Sequence, residues 1–94
     1  MIIGRNIKMA KNIFKDNEGN IHFGVNAPIG FDAGTKQDVD KALETLGSKK
    51  LWRCNICNDL QINLEPSEEC PTCKTLNAYV ETDLNEFKKL IEIL

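Results

Sequence analysis

The 94-residue sequence predicts a small α+β domain: an N-terminal β-hairpin and helix, a metal ribbon built on two C-x-x-C knuckles, and a C-terminal amphipathic helix. Three observations carry this prediction. Apolar and polar residues alternate beside a turn-forming cluster at Asp16–Gly19, apolar residues recur at helical spacing in two later stretches, and four cysteines form two C-x-x-C pairs with twelve residues between them.

The balance of 41% hydrophobic and 28% charged residues is that of an ordinary globular chain, which excludes a disordered or collagen-like one. The apolar stretches fall far short of the roughly 18 residues that a bilayer span needs, and the start MIIGRNIKMAK lacks a secretory apolar core. A cytoplasmic location without a membrane partner is therefore expected, with Met1 or Met9 as the start. The net charge of −2 gains nothing from counterion release on phosphates, so no nucleic-acid partner is expected. Ordering a chain costs about 1.5 kcal/mol per residue, and so small a core leaves little margin. A covalent or metal staple would help.

Residues 1–49 read as a hairpin-plus-helix extension and residues 50–94 as the metal-binding domain with its C-terminal helix. Within 10–26, Asp16-Asn17-Glu18-Gly19 favours a turn, and Ile21, Phe23 and Val25 alternate with His22 and Gly24 in the second arm. His22 then falls on the polar face and is expected to be solvated. Ile2, Ile3 and Ile7 are placed to extend the strand, unless Met9 is the start. Residues 26–34, with Pro28, Gly30 and Gly34, read as loop. Their Gly30-to-Lys36 stretch misses the spacing and residue order of a phosphate loop.

The next helix is expected to start at Thr35, an N-cap with Asp38 three residues on, to bury Val39, Ala42, Leu43 and Leu46, and to stop at Gly47. At the C-terminus, Thr82 or Asp83 caps a helix whose stripe of Leu84, Phe87, Leu90, Ile91 and Leu94 is expected to close over the chain's own core.

The chemistry lies in Cys54-Asn55-Ile56-Cys57 and Cys70-Pro71-Thr72-Cys73. Disulfides do not persist in a reducing cytosol, whereas two such turns placed face to face set four thiolates at the corners of a tetrahedron. Pro71 suits the first corner of a tight turn. A thioredoxin-like dithiol pair needs a βαβ context, which neither pair has. Four thiolates suit one iron or one zinc ion, and ligand identity alone does not separate them.

The stretch LWRCNICNDLQINLEPSEECPTCKTLNAYVE resembles the rubredoxin-like domain, most closely the version at the C-terminus of rubrerythrins. It has Trp52 two residues before the first cysteine, both knuckles, the twelve-residue interval, the Glu65-Pro66 approach and Pro71. The resemblance covers about a third of the chain and does not extend to residues 1–49. It implies that Cys54, Cys57, Cys70 and Cys73 bind one Fe(2+/3+) that shuttles an electron to a redox partner protein. The family usually has glycine after the second cysteine of each pair, where this chain has Asn58 and Lys74. Lysine rarely adopts the left-handed conformation, which predicts a second knuckle that is distorted or altered in its hydrogen bonding. Asn58-Asp59-Leu60-Gln61 also replaces the family's aromatic residues after the first knuckle. These departures bear on redox potential more than on ligation.

The peroxidase activity of rubrerythrins does not carry over, because it resides in a helical bundle with a Glu-x-x-His pattern that this sequence lacks. One histidine and unpaired carboxylates make no catalytic apparatus, so no enzyme is expected. Lys49, Lys50 and Arg53 are expected to be solvated rather than to receive an acidic partner. The leading expectation is a small one-electron carrier; the alternative is a redox-inert ribbon holding Zn(2+), a structural or protein-interaction module.

Overall fold

The computed structural model describes residues 12–93. Ile2, Ile3 and Ile7, the two candidate starts and Leu94 lie outside the described residues. The fold is α+β, with six strands and two helices in the order β1 (Asn12–Lys15), β2 (Ile21–Gly24), β3 (Asp32–Ala33), α1 (Lys36–Glu44), β4 (Lys50–Cys54), β5 (Leu60–Asn63), β6 (Tyr79–Glu81) and α2 (Leu84–Ile93). The strands form one antiparallel sheet in the order β3-β1-β2-β5-β4-β6. The N-terminal hairpin thus lies beside the cysteine-bearing strands, joined through β2 and β5.

The hairpin turn forms where the composition places it. Asp16 accepts the backbone N–H groups of Glu18 and Asn20 at 2.9 and 2.8 Å, and Gly19 takes the left-handed φ of 81° that closes the turn. The strand ends at Gly24, so Val25 is exposed instead of continuing the apolar face. The 26–34 loop contains the two-residue β3, whose Asp32 and Ala33 pair with Lys15 and Phe14.

Helix α1 begins at the expected cap. The Thr35 hydroxyl accepts the Asp38 N–H at 3.3 Å, while the Asp38 carboxylate accepts the Thr35 N–H at 2.8 Å and is thereby held below its ordinary pKa. Val39 and Ala42 are buried, Leu43 and Leu46 pack at the core's margin, and Gly47 sits at φ 57° beyond the helix end.

Register sorts the side chains onto two faces. Ile21 pairs with Ile62 and Phe23 with Leu60, while Leu51 lies opposite Ile62, so these residues share one face. There they form the main core with Val39, Ala42 and Phe87. In α2, Phe87 is fully buried and meets Phe23 edge-on, ring centroids 6.0 Å apart. Leu90 and Ile91 pack against this core, but Leu84 is 43% exposed and does not belong to the buried stripe. It is the first residue of the helix.

The other face carries His22, Gln61, Trp52, Cys54 and Tyr79, related by the pairs His22–Gln61, Trp52–Gln61 and Cys54–Tyr79. His22 is fully buried, contrary to the expectation of a solvated residue. Period-2 alternation assigned it to the correct face, but that face is covered. Phe14 stacks on the His22 ring, Phe31 meets it edge-on, and Ser67 reaches Gln61 from the second-knuckle approach.

Candidate metal centre

The first knuckle leaves the end of β4 and returns at β5; the second sits in the loop between β5 and β6. They repeat one backbone design. Asn58 donates its N–H to the Cys54 carbonyl at 3.0 Å and Lys74 donates to the Cys70 carbonyl at 2.8 Å. Cys54 and Cys70 in turn donate to the carbonyls of Asp59 and Thr75 at 2.8 and 3.0 Å. Asn58 and Lys74 adopt nearly the same left-handed φ, 67° and 63°. The second knuckle is therefore not distorted by its lysine. The lysine takes the glycine-like conformation, at a local cost of roughly 1–2 kcal/mol for a side chain in that region, and the two returning hydrogen bonds hold it there.

These turns bring all four predicted residues together. The Sγ atoms of Cys54, Cys57, Cys70 and Cys73 lie within 4.8 Å of one another, with Cys54–Cys73 at 3.7 Å and Cys57–Cys70 at 3.4 Å. A metal–sulfur bond of about 2.3 Å gives a regular tetrahedron edges of about 3.8 Å, so the donor set fits one tetrahedral ion. Cys54 and Cys70 are buried, whereas Cys57 and Cys73 are half-buried. Ala78, Tyr79 and Trp52 pack around them.

The sulfurs have different electrostatic surroundings. Burial pushes the Cys57 and Cys70 thiols up, against the backbone N–H groups of Asp59 on Cys57 and of Cys73 and Thr72 on Cys70. The Tyr79 hydroxyl lies 3.8 Å from Cys70 Sγ, and burial raises the tyrosine's own pKa, so it stays a neutral donor. At Cys73, the hydroxyl and backbone N–H of Thr75 bring the thiol down to about 6.

Sequence reasoning missed the polar residues behind the sulfurs. Asp59 is fully buried with Oδ2 3.8 Å from Cys70 Sγ, and Gln61 is buried beside His22. Their signal lay in the departures from the rubredoxin pattern after the first knuckle, where Asp59 and Gln61 stand in place of aromatic residues. The basic cluster disperses: Lys49 donates to the Glu18 carbonyl at 2.9 Å, Lys50 pairs with Glu81 at 3.7 Å, and Arg53 reaches Asn58 Oδ1 at 3.4 Å.

Comparison with protein-family models, with curated proteins and with solved structures finds no match to this chain. The four clustered cysteines are consistent with a rubredoxin-like or zinc-ribbon metal site. Among the described residues, no helix is long and apolar enough to cross a membrane.

Proposed function

We propose that the chain is a small one-electron carrier, not an enzyme, whose four cysteines hold one iron. The observation that carries this reading is the asymmetric burial of the sulfurs. Cys54 and Cys70 anchor the centre inside, while Cys57 and Cys73 are only half-buried, and Ile56, next to Cys57 in sequence, is exposed. A bound iron would supply one-electron chemistry, Fe²⁺ to Fe³⁺. The chain's own residues hold the tetrahedron, offset thiolate charge with backbone N–H donors, and keep a sulfur edge where an electron can leave without a large motion.

The chain carries a net charge of −2 before its thiols ionise, and four thiolates make it more acidic. The suited partner is a redox protein with a basic patch, which would steer encounter electrostatically; neither nucleic acid nor a membrane surface is required. Protein reconstituted with iron is expected to be red when oxidised, to bleach on one-electron reduction and to recover its colour over repeated cycles. Loss of the iron in a single reduction cycle would remove the carrier reading and leave the redox-inert zinc ribbon, a structural or interaction module, in its place.

A further inference from the structure

Behind Cys70 lies a buried polar chain whose hydrogen-bond roles can be followed atom by atom. The Ser67 N–H donates to Gln61 Oε1 at 3.0 Å, which fixes the orientation of that amide. Gln61 Nε2, the amide's donor end, then faces His22 Nδ1 at 3.1 Å and Ser67 Oγ at 2.9 Å. Since Nδ1 accepts, the ring proton sits on Nε2. That atom is fully buried, makes no hydrogen bond of ordinary geometry, and lies 3.5 Å from Asp59 Oδ2, within ion-pair range. The same carboxylate oxygen faces Cys70 Sγ at 3.8 Å.

Two further features tie the N-terminal hairpin to this chain. A Cβ built on Gly24 would overlap Asp59 Oδ2 and His22 Nε2, so the pair occupies the space that any side chain at position 24 would fill. Just beyond Gly24, the backbone N–H groups of Val25 and Asn26 donate to Thr72 Oγ1 at 3.3 and 3.4 Å, and Asn26 Nδ2 donates to the Pro71 carbonyl at 3.2 Å. Both acceptors lie inside the second C-x-x-C turn. The hairpin thus holds the second knuckle from outside and reaches its buried sulfur from within.

We infer that the N-terminal hairpin is part of the metal centre: His22, seated by Gly24 and oriented by Gln61, acts through Asp59 as a positioning residue for the Cys70 sulfur. A carboxylate and a thiolate side by side are both acceptors, and an imidazole nitrogen 3.5 Å from the carboxylate helps to offset that juxtaposition in a buried site. The inference rests on the reading of the four cysteines as one metal site, though not on which metal fills it. Residues behind a ligand typically change metal affinity by about 10–100-fold when removed.

The test uses the full chain with Co²⁺ as the probe, because its d–d and thiolate charge-transfer bands report ligand geometry. Asp59→Asn, which keeps the side chain's shape, and His22→Phe are each expected to weaken Co²⁺ binding about 10–100-fold and to shift the charge-transfer band. The double variant should lose little more than the worse single one, since the two residues act in series. Val39→Ala, on the opposite face of the sheet, should lower the melting temperature while leaving affinity and bands unchanged. Wild-type affinity and spectra in Asp59→Asn would overturn the inference, as would an equal loss in Val39→Ala or additive losses in the double variant. Failure of the wild-type chain to bind one Co²⁺ would overturn the metal reading itself, a result distinguishable from all of these.

Discussion

Replacing Cys70 with serine is expected to abolish stoichiometric metal binding and to unfold the ribbon around residues 50–81. Cys70 is fully buried, and its sulfur meets Cys57, Tyr79 and Asp59. A serine hydroxyl is not a thiolate at neutral pH, so three ligands would remain around an open corner. Structural tetrathiolate and related sites contribute apparent binding free energies of about 10–16 kcal/mol that are also folding free energy. Against a net stability of about 5–15 kcal/mol for a whole domain, losing a large part of that leaves the knuckles without a closed structure. Titration with Zn²⁺ or Co²⁺, together with backbone amide exchange over this segment, measures both effects. Undiminished one-to-one binding in Cys70→Ser would show that the four cysteines do not act as one site.

The second large effect is expected on the opposite face, at Phe87. This side chain is fully buried and touches Phe23 edge-on, and it is how α2 closes the sheet's apolar side. Truncation of a buried phenylalanine to alanine costs about 3–5 kcal/mol through lost transfer energy and the cavity left behind. For a domain of this size each kcal/mol lowers the melting temperature by about 4–8 °C, so Phe87→Ala should melt at least 12 °C or so below the wild type. Leu84→Ala, on the exposed first turn, should melt within a few degrees of wild type. Metal-loaded protein followed by circular dichroism gives both values. An unchanged melting temperature in Phe87→Ala, with a dimer or partner complex lost instead, would make the helix an interface.

The local elements were legible in the sequence because local chemistry determines them. Thr35 and Asp38 specify a capping box wherever the helix packs, and Asp16 to Gly19 specify a turn through the Asp16 carboxylate and a left-handed glycine. The four cysteines were legible for the same reason, since each C-x-x-C turn is a short-range structure with a fixed ligand geometry. Long-range pairing was not legible. Nothing in the sequence of β2 states that it pairs with β5, and that pairing places His22 beside Gln61. Alternation assigned His22 to the face away from Ile21 and Phe23, but whether that face meets water depends on the second-knuckle loop and Phe31 folding over it. Lys74 was misjudged for a related reason. Its intrinsic preference opposes the left-handed conformation, and the paired hydrogen bonds of the knuckle override that preference.

The carrier reading requires a redox-active iron among Cys54, Cys57, Cys70 and Cys73. Metal analysis of protein purified from its own host tests it most directly, because recombinant expression can load zinc into an iron site or iron into a zinc site. One iron per chain is expected, with the absorption of ferric thiolate in the oxidised protein. Stoichiometric zinc, or protein folded without metal, would contradict it.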